Sequence, residues 1–393
     1  MFLIAALTFC FIANMSIYTG INSDYAYYVM SFLVVLAAVK YAIRKFRITD
    51  QVKADVILFQ FKYNFLSKVV IYAYSLVLLF LGLTEKRFIS TNIQTFINGL
   101  SAISIFYLYG IKAFDYSCIA VICAYIIEVA AGVFCRGWDI SLEFHDLAFS
   151  VGYIILYILY EKRYKSKRGL IFFVLTVFMV VAAGKRIGLL ALVCTIILWK
   201  MMSRLGEHGK KRMMFWTGIS IVAASFLFLQ FTMNPDIRKI AAELSVGMSG
   251  RDYYYEALQP YIKNDITFLG LGRNAVQVIM TEDFPWFGIG NVHSDIYRMY
   301  AECGFVLFFL WLVWYLIKME QSAAKKFDVH VAEFVFLLTV YTFIVYFTDN
   351  TELYLMNQYF YVLTMLIFIY QAVGLEPRKR KSEFLYGDRK IYE

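Results

Sequence analysis

A chain of 393 residues that is 61% hydrophobic and only 17% charged, with a mean hydropathy of +0.62, is excluded from the ordinary soluble class, where charged residues make up about a quarter. The net charge of +9 does not point to nucleic acid, because the basic residues sit in short segments between apolar runs, as membrane orientation signals do. With four prolines and no break in composition, residues 1–393 read as a single integral membrane domain.

A hydrocarbon core about 30 Å thick takes roughly 20 apolar residues of helix. Windows of that kind fall near 1–18, 24–43, 67–84, 91–111, 115–134, 145–160, 169–184, 186–203, 214–232, 295–317, 331–348 and 353–374. The expected fold class is therefore all-α, a polytopic transmembrane bundle of about 12 spans. The run MFLIAALTFCFIANMSIY lacks a basic leader and reads as a first span. With the N-terminus inside, the segments 40–68, 161–168, 200–213, 318–330 and a basic tail over 375–393 hold most of the Lys and Arg, so both termini are expected in the cytoplasm.

That orientation leaves exceptions on the outer side. The hairpin AAGKRIGLLALV pins Lys185 and Arg186 at the boundary, with Gly184 suited to ending the preceding helix. They either snorkel to lipid headgroups or clamp an anion, since guanidinium matches phosphate oxygens. The longest loop, 233–294, contains SGRDYYYEALQPYIKN, where Arg251 stands at a helix start with Tyr254 one turn on. Helix N-termini favour anions, while a surface arginine paired with Asp252 or Glu256 is the plainer alternative. In ITFLGLGRNAVQVI, Gly270 and Gly272 predict a tight turn beside Arg273 and no more, because the βαβ context of a dinucleotide site is missing.

The stretch GIGNVHSDIYRMYAECGF carries the most chemistry. Asp295, Arg298 and Glu302 share a helical face at i, i+3 and i+7, and a polar stripe entering an apolar helix must face protein or water. Ion pairing among the three explains it without function. His293, in the expected first turn, titrates near neutral pH and suits proton transfer. Glu128 lies inside a span, and Arg136, Trp138, Asp139, Glu143 and His145 form no interpretable spacing. Asp349 and Glu352 occupy a short outer turn. The six cysteines fall singly, with no His at ligand spacing, so neither a disulfide nor a metal site is expected.

Taken in order, AGKRIGLLAL, the large loop with its arginine, FLGLGRNAV and NVHSDIYRMYAECGF resemble the O-antigen polymerase and ligase superfamily over about residues 180–310. One departure is His293-Ser294-Asp295, where many relatives carry His-Asn. The resemblance implies a GT-C-like architecture with a helical external loop between spans 9 and 10, in the bacterial cytoplasmic (inner) membrane. It implies a polysaccharide repeat-unit polymerase: a metal-independent glycosyltransferase without cofactor, acting on polyprenyl-diphosphate-linked oligosaccharides in the membrane lipid, with a chain-length regulator protein as a partner and no nucleic acid. On this reading His293, Asp295, Arg186 and Arg251 are catalytic, and Lys185, Tyr254, Arg273, Arg298 and Glu302 bind substrate. An O-antigen ligase and a lipid-linked oligosaccharide flippase or transporter are the alternatives.

Overall fold

The computed structural model describes residues 1–43, 50–88, 93–137, 144–243, 251–288 and 290–387; the side chains of residues 93, 95, 145, 240–243 and 375–387 lie outside that description. Arg44, Lys45, Arg47, Trp138, Asp139, Glu143 and Gly250, and the side chains of His145 and the basic tail, are therefore outside it too.

Among the described residues every regular element is helical. In chain order these are α1 (Phe2–Met15), α2 (Asp24–Ile43), α3 (Gln51–Phe80), α4 (Ile93–Tyr109), α5 (Lys112–Arg136), α6 (His145–Tyr160), α7 (Lys167–Ala182), α8 (Arg186–Met202), α9 (Glu207–Met233), α10 (Pro235–Glu243), α11 (Arg251–Leu258), α12 (Ala275–Glu282), α13 (Asp295–Lys326), α14 (Val329–Tyr346) and α15 (Leu355–Gly387). Each of the twelve apolar windows falls on one of these helices. Among the described residues, six are long and apolar enough to cross a membrane: α2, α3, α5, α9, α13 and α14. The other windows land on shorter helices or, for α15, on one that runs on into the basic tail.

Burial sorts the helices into a centre and a rim. α14 is apolar all round and 89% of its span is buried, as expected for a helix surrounded by others. α6 and the first part of α15 pack beside it. α2 and α9 are mostly unburied and expose Phe32, Val35, Trp216 and Leu227, an apolar surface that only a bilayer or a partner would cover.

Polar contacts gather at the two ends of the bundle. At one end Tyr370 donates to Asp50 (2.6 Å), Lys53 to the Tyr107 carbonyl (2.9 Å), Lys326 pairs with Asp55 (3.0 Å) and Lys210 with Glu333 (2.6 Å). At the other, Asn98 donates to the Leu353 carbonyl (3.1 Å), the Ser294 N–H to Asn350 (3.1 Å), and Arg87 pairs with Asp283 (3.0 Å). The described residues of the segment 233–294 belong to this second end and include α10, α11 and α12.

One expectation is corrected. Lys53, Lys62 and Lys68 are not in an interhelical loop, because α3 begins at Gln51 and runs 30 residues. Gln60, Asn64 and Lys68 depress its hydropathy, yet at i, i+4 and i+8 they share one face, turned into the protein and buried. A window that averages hydropathy cannot distinguish a buried polar face from a loop.

α13 is broken near its start. Gly304 has φ +73° and ψ 178°, and the loop 268–272 fills the gap. Leu271 and Gly272 donate to the carbonyls of Ala301 (2.9 Å) and Glu302 (3.0 Å), which an unbroken helix would have bonded to residues 305 and 306, while Phe305 donates to the Phe268 carbonyl (2.9 Å). Gly270 and Gly272, at φ +90° and +98°, let the loop run this way. A Cβ on Gly304 would lie 2.2 Å from the Leu269 carbonyl carbon. Gly304→Ala is therefore expected to destabilise the protein by about 2 kcal/mol or more, whereas Gly374→Ala, with nothing within 4 Å, is expected to be neutral or slightly stabilising. Thermal unfolding of both variants in detergent checks this.

A buried charge cluster as candidate functional site

The first two turns of α13 carry the predicted stripe. The Ser294 hydroxyl caps the helix by accepting from the Tyr297 N–H (3.2 Å). Behind it, Arg298 bonds Asp295 through Nη2 (2.6 Å) and Nε (3.1 Å) and reaches Glu302 (3.4 Å). Asp295, Arg298 and Glu302 are each 2% exposed or less. The ion-paired arrangement is thus the one observed.

Two further segments close the cluster. Arg273, held by its N–H on the Ser75 hydroxyl (2.8 Å), sends one arm to Glu302 (2.9 Å) and the other to Glu352 (2.7 Å). Glu352 also receives Arg298 (2.7 Å) and Lys68 (3.5 Å), and its N–H donates to Asp295 (2.7 Å). Three cations, Lys68, Arg273 and Arg298, thus face three carboxylates, Asp295, Glu302 and Glu352, without net charge. Burial by itself would raise the Glu352 carboxyl, but Arg273, Lys68 and Arg298 together hold it well below the usual carboxylate range. Burial opposes the Arg273 charge as well, and Glu352 and Glu302 outweigh it.

Beneath the cluster, α3 and α13 each contain a widened π turn, Phe61–Phe65 and Trp314–Lys318, a feature frequent at functional sites. The two meet, with the Tyr63 ring 4.9 Å from Trp314 and the Ser67 hydroxyl 2.8 Å from that of Tyr315. They wall a narrow cavity of about 20 Å³, lined by Asn64, Lys68, Tyr315, Tyr346, Glu352 and Gln358 among others, which has room for about one water. On the outer side of Ser67, Ile71 and Trp311 lies an apolar groove of about 190 Å³ between Leu66, Val70, Leu307 and Leu310.

The other predicted residues stand apart from this cluster. His293 is not in the first helical turn; it precedes the cap with φ +49° and is half-buried, its ring 6.2 Å from that of Tyr254. Arg251 opens α11 as expected and is partly exposed. Burial pushes the Tyr255 phenol up to about 12 against the opposing pull of Arg251 and Ser294, and Tyr255 packs its ring 4.6 Å from that of Tyr297 on α13. Among the described residues Arg251 pairs with neither Asp252 nor Glu256. Lys185 caps α8 and Arg186 is its exposed first residue. The turn after them packs against the start of α6, where a Cβ on Gly188 would lie 3.4 Å from the Phe149 ring. Glu128 has a local duty, accepting from the Tyr18 N–H (3.1 Å) and the Thr19 hydroxyl at the end of α1.

Sequence reasoning missed Lys68, Ser75 and Gln358 as members of the site and gave Glu352 no partner. The available signal was the polar period along α3. Among the described residues no three His, Cys, Asp or Glu side chains gather as a metal site.

Removing the Glu352 charge would leave three buried cations facing two carboxylates, and breaking such a set costs about 3–5 kcal/mol. Glu352→Gln is expected to lower the thermal midpoint accordingly. Because the folded carboxyl titrates below the ordinary value of 4.5, its contribution is fully present above that value and is lost as pH falls through the lower, folded one. Unfolding followed from pH 8 to pH 3 is expected to show a constant gap between wild type and variant down to about pH 5, narrowing only below about pH 4.

No protein-family model matches the chain, and neither does any curated protein.

Proposed function

We propose that this chain is a polymerase of lipid-linked polysaccharide repeat units, whose twelve helical windows all cross a bacterial inner membrane with both termini in the cytoplasm and the 233–294 segment outside. The observation that carries the reading is the approach of the Tyr254 ring to that of His293 just before α13, with Arg251 at the start of the same short helix as Tyr254, on a loop whose residues 268–272 are held to α13 by their own backbone. The order of motifs resembling the O-antigen polymerase and ligase superfamily supports it.

In the proposed reaction an acceptor sugar hydroxyl attacks the anomeric carbon of the donor, and the bond from that carbon to the diphosphate oxygen breaks. The His293 imidazole takes the hydroxyl proton. The diphosphate leaves with the bonding electrons, and its charge is met by Arg251, with Arg186 and Lys185 on the same face. Tyr254 offers an aromatic face to a sugar. Arg273, Arg298, Glu302 and Asp295 serve this chemistry indirectly, by fixing α13 and the loop beneath it. The polyprenyl tail stays in the bilayer, and the apolar groove between α3 and α13 gives it a lateral approach. A chain-length regulator would meet the same outer face.

A transporter of lipid-linked oligosaccharide is the second reading, favoured by the broken helix α13 and the buried Lys68 beside a polar chamber, both of which occur in transporters. A ligase would share the transferase chemistry.

Arg251→Ala and Arg186→Ala are expected to abolish long polymer while the protein still reaches the membrane, and His293→Ala to slow transfer about 10²–10⁴-fold. Electrophoresis of the polymer with immunoblotting of membranes reads both. Lipid-linked single units should accumulate on the outer face; long lipid-linked chains would indicate a ligase, and inner-face accumulation a flippase. Polymer of normal length and amount from both arginine variants would end the clamp assignment.

A further inference from the structure

At the opposite end of the bundle, where α9 begins and α13 stops, an open cleft of about 580 Å³ lies between the two helices, lined by Lys211, Arg212, Phe215, Glu320, Gln321 and Lys325 among others. Two neighbouring cations are occupied: Lys210 pairs with Glu333 (2.6 Å) and Lys326 with Asp55 (3.0 Å). Lys211, Arg212 and Lys325 are exposed and make no ion pair among the described residues. Glu320, the acidic side chain in the cleft's lining, is buried, so three exposed cations face a single buried carboxyl group.

Depth decides what such a cleft would hold. The first turns of α9 are polar and basic, and from Met213 onward the helix turns apolar, with Phe215 and Trp216 exposed. Exposed aromatic side chains at that transition mark the headgroup level of a bilayer. On α13 the charged residues Lys318, Glu320, Lys325 and Lys326 end an apolar run at the same level. Gly218 allows α9 to approach the Leu316 carbonyl, where an added Cβ would lie 2.7 Å away, so the helices close together below the cleft. A ligand here meets cations at the headgroup level and apolar side chains below.

We propose that this cleft is a binding site for the headgroup of an anionic glycerophospholipid, with Lys211, Arg212 and Lys325 on the phosphate and the acyl chains running down the exposed apolar face of α9. Basic recesses between transmembrane helices hold anionic headgroups in this way, and each basic side chain near the surface contributes about fivefold in affinity.

The test uses the purified full chain in detergent, incubated with phosphatidylglycerol or phosphatidylcholine, with retained lipid counted by native mass spectrometry. Phosphatidylglycerol is expected to be retained and phosphatidylcholine not. The triple variant Lys211→Gln, Arg212→Gln, Lys325→Gln should bind about a hundredfold more weakly, and Lys325→Gln alone about fivefold more weakly. The charge-matched control Lys162→Gln, Lys165→Gln, Lys167→Gln, altering exposed residues elsewhere at the same end, should bind as wild type. Equal retention by the triple variant and the control would overturn the proposal. So would displacement of the lipid by millimolar inorganic phosphate, which would identify a small-anion site.

Discussion

The structure depends on the repair of a break. An apolar helix cannot leave its peptide groups unsatisfied within a membrane or a protein core, because each unpaired group costs several kcal/mol. α13 interrupts its own hydrogen bonding at Gly304, and the amides of Leu271 and Gly272 with the carbonyl of Phe268 complete it from another part of the chain. The segment 268–272 is thereby a fixed part of the bundle. Its backbone is in place only where α13 is broken, and α13 can be broken only where the loop is in place.

The charge cluster secures the same junction with side chains. Arg273 follows directly on the inserted segment, Glu302 stands two residues before the break, and Glu352 arrives from the turn between α14 and α15. Lys68 brings in α3. Four separate stretches of chain are thus joined through six groups whose charges cancel. Buried ion pairs contribute little net stability, since desolvation offsets most of their attraction. Their effect is specificity: any other register of the loop on α13 would strand at least one charge. With the junction fixed, α11 and the His293 turn follow from it along the chain, and the cluster, whose charges cancel, leaves Arg251 and Arg186 outside its ion pairs.

Much of the scaffold was legible in the sequence, because lipid imposes a length and an apolarity that any window can measure. The i, i+3, i+7 spacing of Asp295, Arg298 and Glu302 likewise announced a shared face, and the Gly270/Gly272 pair a turn. The rest was hidden for physical reasons. Glu352 meets Arg298 across 54 residues and Lys68 meets Glu352 across 284, separations no local period encodes. Lys68 was obscured further, since a lysine buried against a carboxylate reads in sequence like one in a cytoplasmic loop. The π turns of α3 and α13 leave no compositional trace, and the break at Gly304 shows only as a glycine in an apolar run.

The most direct test of this account is amide hydrogen exchange of the protein in lipid nanodiscs, resolved at Leu271, Gly272 and Phe305. If the loop completes the broken helix, these three amides exchange as slowly as the core of α14, and far more slowly than the exposed Ile266 a few residues away. Exchange of Leu271 and Gly272 at the rate of Ile266 would mean that the loop is not part of α13, and the account would be wrong at its base.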